Sequence, residues 1–272
     1  ATFSTNVRSI GVKAFYNDTR IVAISIPDSV LSIGTSAFFY CQGLLSITIP
    51  DHVLSIGASA FRNCSGATSL TIGQSVLSIG SQTFYYCISI PEITIPDSVL
   101  SIGATAFANC QGATSLTIGQ GVTSIGDGAF YFCRLIPEIT IPDSVITIEA
   151  NAFLSCAGAT SLTLGPNVTS IGVSAFINCP SLRSIALTKN QYVSYANTTY
   201  FDSAVLLQYI KILFVSTDGD TVLSETEVLA QRPDSGNYDA VFSTNIESIG
   251  ANAFQSDTRI VAISIPDSVL SI

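Results

Sequence analysis

The stretch SIGASAFRNC, residues 55–64, recurs along the chain and decides the fold. Similar stretches follow one another with a strict 23-residue period, each with an Ile, a Phe and, in most units, a Cys at the same places. The phenylalanines that keep this step are Phe15, Phe38, Phe61, Phe84, Phe107, Phe130, Phe153 and Phe176. A period of this length predicts a solenoid, because one unit cannot bury its apolar side alone and must stack on its neighbours.

The composition sets limits on function. The chain has 272 residues, of which 47% are hydrophobic and 11% charged, so it holds ample material for a core. Its net charge of -9 argues against nucleic acid and anionic membranes as partners. No apolar run approaches the ~20 residues that span a bilayer, so we expect no membrane insertion.

One unit, residues 44–66, shows how a coil is built. The segment SITI alternates, with Ile47 and Ile49 directed inward, which predicts a short half-buried strand. A Pro-Asp dipeptide then ends the strand with a turn. The three-residue spacing that leads to Phe61 and Cys64 predicts a short helical or 3₁₀ turn.

The pattern C-x-x-L-x-x-L-x-I-P-x-x-V-x-x-I-G-x-x-A-F-x-x-C resembles the BspA-like class of leucine-rich repeats. Residues 41–64 and 87–110 match it, and the resemblance covers about 1–187 and 242–272. It implies a repeat solenoid of the α/β leucine-rich repeat type, a curved right-handed stack of 23-residue coils with a parallel sheet on the concave face. The family is typically found on bacterial and protist surfaces, in adhesion and host-matrix binding, and brings no catalytic residues.

A second period of two coils lies over the first. ATSLTIG at 67–73 returns at 113–119 and, as ATSLTLG, at 159–165, and IPEITIP occurs between them at 90–96 and 136–142. The unit of duplication was therefore a 46-residue pair of coils, in which a Pro-Asp turn alternates with a Gly turn.

The repeat pattern stops after Leu187, which ends a predicted solenoid domain of residues 1–187. Residues 188–241 contain no Cys, and two apolar runs flank the dipeptide at 218–219, Asp-Gly. This pattern predicts a β-hairpin insert or small β subdomain. Such an insert either caps the open end of the stack or forms a partner-binding protrusion.

Residues 242–272 start a second repeat module. They repeat the sequence of residues 3–33 with 25 of 31 positions identical. Three explanations fit this recurrence: a longer polypeptide of tandem modules, a protomer of a head-to-tail assembly, or a recent duplication without mechanical meaning.

The cysteines share one place in the repeat. Disulfides between neighbouring coils would need Cβ atoms ~3.8 Å apart, whereas in-register stacking holds them ~4.8 Å apart. A metal site is disfavoured because the chain has no C-x-x-C pair and one histidine, His52. We therefore predict a structural ladder of buried, unbridged thiols formed by Cys41, Cys64, Cys87, Cys110, Cys133, Cys156 and Cys179.

No catalytic site, metal site or cofactor is expected. His52 lies beside Asp51 on a predicted turn without a serine partner, which indicates a surface histidine. Calcium needs six or more converging oxygens. The row of turn acids, Asp28, Asp51, Asp97 and Asp143, offers isolated carboxylates, which indicates a solvated edge.

The outward side chains of the SITI-type strands are the candidate binding residues. They are Ser46, Thr48, Ser69, Thr71, Glu92, Thr94, Ser115, Thr117, Glu138, Thr140, Ser161 and Thr163. Strand propensity and duplication explain such a surface without a ligand. A concave binding face for an extended protein or glycan is the functional alternative, and an ordered-water surface is a second one that the alternate glutamates disfavour.

Four N-x-S/T motifs are candidate N-glycosylation sites, at Asn17, Asn63, Asn167 and Asn197. They matter for a protein secreted by a eukaryote.

Taken together, these features of the sequence predict an extracellular or cell-surface, non-enzymatic protein that acts in adhesion or ligand recognition through its concave face. The rival hypothesis is a structural protomer whose copies join end to end in a fibre or surface layer.

Overall fold

The computed structural model describes residues 3–4, 6–188, 191, 200–201, 210–214, 222–223, 238–242, 248–249, 254 and 260–265. It confirms the repeat solenoid. About eight coils roughly 23 residues apart stack through parallel β-strands, and the described residues contain almost no helix. Two ladders of strands and one ladder of turns run along the stack.

The SITI-type segments form the long-strand ladder. Neighbouring strands pair in parallel with a 23-residue offset, as between Ile47 and Leu70. Its strands are β3 (Ser46–Thr48), β5 (Ser69–Thr71), β7 (Glu92–Ile95), β9 (Ser115–Ile118), β11 (Glu138–Thr140), β13 (Ser161–Thr163), β15 (Ser184–Leu187), β16 (Ile210–Phe214), β18 (Tyr238–Phe242) and β20 (Ile260–Ser264). Alternate residues such as Ile47 and Ile93 are fully buried, as the alternating pattern predicts.

Prolines interrupt this ladder at two places. The N–H of Thr68 donates to the carbonyl of Leu45, and the N–H of Thr114 donates to that of Pro91. The equivalent positions Pro91 and Pro137 have no N–H to donate to the preceding coil. Strand pairing is absent at these junctions, between β5 and β7 and between β9 and β11. The two-coil period of the sequence therefore divides the long-strand ladder into groups.

A second sheet, which the sequence did not predict, is the short-strand ladder. It contains the Ser-Ile and Thr-Ile dipeptides that precede each Gly or Glu. Its eight strands are β1 (Ser9–Ile10), β2 (Ser32–Ile33), β4 (Ser55–Ile56), β6 (Ser78–Ile79), β8 (Ser101–Ile102), β10 (Ser124–Ile125), β12 (Thr147–Ile148) and β14 (Ser170–Ile171). Each isoleucine is buried and each preceding Ser or Thr is at least partly exposed, so two-residue strands suffice to hold one coil on the next.

The expected helical turn is wrong, because this segment consists of consecutive β-turns. In residues 34–41, the N–H groups of Ala37, Phe39 and Cys41 donate to carbonyls three residues earlier. The N–H groups of the residues between them donate to the next coil, as Tyr40 does to Arg62 at 2.8 Å. Half of the backbone bonds thus leave the coil, which a helix does not allow. We call this surface the turn face.

The core is a continuous stack of phenylalanine rings. Neighbouring rings from Phe15 to Phe176 are nearly parallel, and their centroids lie between 5.0 Å, for Phe38 and Phe61, and 5.6 Å, for Phe61 and Phe84. Phe201 adds a further ring 5.2 Å from Phe176, although its position in the sequence departs from the strict repeat step. The hydrophobic stack therefore extends beyond the region of strict sequence repeat.

The predicted hairpin in 188–241 is also wrong in its pairing. β16 pairs in parallel with β15 and with β18, while β17 (Val222–Leu223) pairs in parallel with β19 (Ser248–Ile249). Successive long strands here lie farther apart in sequence than in the strict repeat, since Ile210 pairs with Ile185 and Ala240 pairs with Ile212. Parallel strands thus continue the long-strand ladder where the Asp-Gly motif indicated a hairpin. The turn at 218–219 lies outside the described residues, and the domain boundaries at 187 and 241 stay predictions.

Close contact between coils explains the alternation of Pro and Gly turns. Gly73 lies over Pro50 and Gly119 lies over Pro96 in the preceding coil. A Cβ atom would lie 2.1 Å from the Pro50 carbonyl oxygen at Gly73, and 2.5 Å from the Pro96 carbonyl at Gly119. Real Cβ atoms do not approach so closely, so these positions require glycine.

Candidate functional site

The strand face consists of the twelve predicted Ser, Thr and Glu side chains of β3 to β13. The structure places all of them outward, and each is exposed or half-buried. They align from strand to strand, as Thr94 with Thr117 and Glu138 with Ser161. The two proline interruptions separate three pairs of strands, so the strand face consists of three neighbouring polar strips.

The chemistry of the strand face is that of hydrogen bonding. Glu92 and Glu138 lie two coils apart, or ~9.6 Å at ~4.8 Å per strand. Glu92 accepts a hydrogen bond from the hydroxyl of Thr94 at 3.0 Å. The face thus presents hydroxyl donors and acceptors with a carboxylate on each of two strands, suited to an extended polar ligand.

The turn acids hold neighbouring coils together. A carboxylate oxygen of Asp51 accepts the N–H of Gln74 at 2.9 Å, and one of Asp97 accepts that of Gln120 at 2.7 Å. Burial raises the pKa of Asp143. His52 is exposed. Among the described residues, no three His, Cys, Asp or Glu side chains converge to hold a metal ion.

The seven predicted ladder cysteines are all buried thiols. Each one donates to the carbonyl of a phenylalanine in the preceding coil, as Cys64 does to Phe38 at 3.2 Å. The same carbonyl also accepts the N–H of the cysteine in its own coil, as Phe38 does from Cys41. Asp18 takes this position in the first coil, where it is half-buried and its pKa is lowered by a hydrogen bond from Arg20.

Burial suppresses the reactivity of these thiols. Desolvation raises the pKa of Cys87 and of Cys133 to about 12, and that of Cys41 to about 11. The thiolate is the nucleophile and the metal ligand, so a thiol that stays protonated at neutral pH is inert in both roles. The buried environment of the cysteine column is therefore that of structural cysteines.

The candidate glycosylation sites lie in three different settings. Asn17 and Asn167 are exposed, and Asn167 donates its side-chain amide to the Asp143 carbonyl at 2.9 Å. Asn63 is half-buried, and its amide oxygen has no hydrogen-bond partner among the described residues. Asn197 lies outside the described residues.

Sequence reasoning missed a set of aromatic side chains on the turn face. Adjacent aromatic residues occur in three coils, each two coils from the next, with ring centroids 5.0–6.2 Å apart within each pair. We call them the aromatic doublets: Phe39–Tyr40, Tyr85–Tyr86 and Tyr131–Phe132. The signal was present in AFFYC, TFYYC and AFYFC, beside AFRNC and AFANC in the coils between.

Stacked 23-residue coils with parallel strand ladders and a buried Phe column define a leucine-rich repeat solenoid. The chain matches the BspA type leucine rich repeat region, in six copies, over residues 1–113, 77–208 and 236–272, and it belongs to this family. Proteins of the family are typically surface-associated and generally non-enzymatic. None of the helices in the described ranges has the length and apolar character to cross a membrane.

The chain is similar to solved bacterial leucine-rich repeat proteins. A leucine rich cell surface protein from Faecalibacterium prausnitzii A2-165 is 27% identical, with a TM-score of 0.56 over 99% of this chain and 72% of that one. A leucine-rich repeat protein of T. pallidum is 24% identical, with a TM-score of 0.53 over 64% of this chain and 78% of that one, which is a likeness of fold. No curated protein matches the sequence.

Proposed function

We propose that the chain is an extracellular or cell-surface binding module that engages a protein or glycan through its strand face, without catalysis. The observation that carries this proposal is the in-register array of exposed Thr and Ser side chains with Glu92 and Glu138 two coils apart. Solenoids use such extended regular surfaces for binding. The similarity to a bacterial cell-surface protein supports the location.

The test is a binding screen with the chain on a glycan array and on purified extracellular-matrix proteins. We expect a hit that is lost when Thr94→Arg and Thr117→Arg place long cations on the strand face. Gln120→Arg is the matched control, because Gln120 is exposed in a loop outside the face. A ligand that Thr94→Arg and Thr117→Arg still bind, or an absence of any bound ligand on both panels, would contradict the proposal.

A structural role is the second candidate, in which modules join end to end. It is supported by the way the repeated segment 242–272 meets the preceding coils. β19 and β20 pair with β17 and β18, and their counterparts in the first copy are β1 and residues 21–25. The first coil of one copy therefore has the strand sequences that another copy's last coils would pair with.

Sedimentation velocity and negative-stain imaging test this second role. Filaments with a repeat along the solenoid axis would support it, and their appearance should depend on protein concentration. A monodisperse monomer across a hundredfold range of concentration would remove it.

A further inference from the structure

We propose that the aromatic doublets form a docking surface for a proline-rich segment of another protein, bound in the polyproline II conformation beside an acidic residue. This surface is separate from the strand face and lies on the turn face. The inference rests on four features: coils without doublets stack with the same bonds, bulky rings occupy a position of positive φ, the doublets are regularly spaced, and cations lie over them.

Stacking of the coils does not require the aromatic doublets. At the same two positions, the intervening coils carry Arg62 and Asn63 or Ala108 and Asn109. The ladder bonds are the same in both kinds of coil. The N–H of Tyr86 donates to the next coil at 2.9 Å, and that of Asn109 does so at 2.7 Å. Coil stacking therefore does not account for aromatic rings at these positions.

The second ring of each doublet has an unfavourable backbone conformation. Tyr40, Tyr86 and Phe132 have φ angles of +64°, +62° and +64°. Asn tolerates this left-handed region and occupies it at Asn63 and Asn109, whereas bulky side chains rarely adopt it. The turn imposes a positive φ at this position in every coil from Asn17 to Asn178, so the conformation itself belongs to the fold. A bulky ring where Asn or Ser would be less strained points to a use of that side chain.

The spacing of the doublets matches a repeating peptide conformation. One coil step on this surface separates the rings of Tyr16 and Phe39 by 4.8 Å, with their planes at 3°. Two coils therefore separate successive doublets by ~9.6 Å. A polyproline II helix has three residues per turn and rises ~3.1 Å per residue, or ~9.3 Å per turn. The same side of such a peptide meets one doublet at every turn.

The exposed chemistry of the doublets fits this ligand. Tyr40 is 37% exposed and Tyr86 is 41% exposed, so both residues are in part open to solvent. Aromatic-lined surfaces bind proline-rich segments because the peptide is already ordered and its carbonyls accept hydrogen bonds from the rim. Tyrosine supplies both a flat apolar surface and a donor.

Cations on this face add a charge preference. The Arg62 guanidinium lies 4.6 Å from the ring centre of Tyr85 and 5.7 Å from that of Phe39, and Arg134 lies 3.9 Å from that of Phe132. Arg62 also donates to Gln82, while its Nε has no partner among the described residues. In a chain of net charge -9, these arginines favour an acidic residue in the partner.

The experiment titrates the full chain with fluorescent synthetic peptides, measured by anisotropy. Proline runs of three to fifteen residues, each with a flanking Glu pair, should bind more tightly with length up to about nine residues, which span all three doublets, and no further. Tyr86→Asn should weaken binding about tenfold. Asn occupies this position in neighbouring coils, so circular dichroism should show that the variant stays folded. Thr94→Arg on the strand face should leave peptide binding unchanged.

The opposite results would overturn the proposal. These are equal binding of peptides in which Ala replaces Pro, equal or tighter binding of Lys-flanked peptides, or full binding by the folded Tyr86→Asn variant. Binding of neutral oligosaccharides together with no binding of any peptide would identify the doublets as a sugar platform and would also overturn it. Loss of peptide binding in Thr94→Arg would transfer the site to the strand face. Because the strand-face variants are read separately, failure here is distinguishable from failure of the proposed function.

Discussion

The interior of the solenoid and its turn face repeat with different periods. Inside, the Ile and Phe columns return in every coil, as at Phe61 and Phe84. On the turn face, the aromatic doublets occur in three coils, each two coils from the next, and the coil of Phe176 lacks one. Every coil must stack on the next, so stacking imposes the one-coil period. The coils that lack a doublet stack with the same turn bonds, so the aromatic doublets are side chains that this stacking does not need.

The largest expected effect comes from breaking the interior column. Phe107 is fully buried between the rings of Phe84 and Phe130, at 5.1 and 5.5 Å. Phe107→Ala should lower the free energy of unfolding by about 3–5 kcal/mol, because it removes apolar contact on both sides and leaves a cavity. Urea denaturation followed by circular dichroism measures this change.

Leu100→Ala is the control for the interior column, since Leu100 is a large side chain that is 53% exposed. It should change stability by no more than ~0.5 kcal/mol. A similar loss of unfolding free energy in Phe107→Ala and Leu100→Ala would mean that the stacked rings stabilise the fold no more than an exposed leucine does.

The next effect tests why the turns alternate. Gly119→Ala should cost about 1–3 kcal/mol, because its Cβ would lie 2.5 Å from the backbone of Pro96 and force two coils apart. Gly11→Ala is the matched control, because nothing lies within 4 Å of its added Cβ. It should be neutral or slightly stabilising. Thermal unfolding of both variants checks the difference, and equal melting temperatures would show that the coils separate without cost.

The thiol column should make stability depend on pH. Burial raises the pKa of Cys87 from its usual 9.0 to about 12. Between these values the unfolded chain loses a proton that the folded chain keeps. The contribution of Cys87 to the free energy of unfolding is therefore fully present below pH 9 and falls as the pH rises toward 12, by up to ~1.4 kcal/mol per pH unit.

Urea denaturation at pH 8 and pH 10 measures how much Cys87 contributes to the pH dependence of the free energy of unfolding. The stability loss between these pH values should be smaller in Cys87→Ala than in the unchanged chain, by about 1.4 kcal/mol. Equal pH dependence in the two proteins, or rapid labelling of the folded chain by a thiol reagent, would show that Cys87 is accessible.

The sequence predicted the interior well because each column has one residue type. Ile56, Phe61 and Cys64 repeat at fixed spacing and are all buried. The turns were predicted wrongly because a three-residue spacing fits a helical turn and consecutive β-turns equally. The bonds that decide between them, such as Tyr40 to Arg62, join residues in different coils. A local pattern does not contain that information.

The strand face and the strands beyond Leu187 also contain features that a local pattern predicts and features that it does not. The alternation of SITI predicted correctly which side chains of β3 point outward, but nothing local predicted that Pro91 would end the pairing between β5 and β7. Beyond Leu187 the Asp-Gly motif suggested a hairpin. The parallel partner of β16 is β15, and the pairing of Ile210 with Ile185 has a sequence offset that the strict 23-residue period does not reveal.

The smallest expected effect concerns the strained rings of the turn face, and a reciprocal pair of substitutions isolates it. Tyr86 and Asn178 occupy the same position of their coils, with φ angles of +62° and +58°, and both are exposed. Tyr86→Asn should raise the free energy of unfolding by about 1 kcal/mol, and Asn178→Tyr should lower it by a similar amount, because Asn tolerates the left-handed region and Tyr does not. Denaturant midpoints of the two variants at constant slope measure both changes. If both substitutions destabilise the chain, Tyr86 contributes packing that outweighs its strain, and the turn face belongs with the interior as part of the folding core.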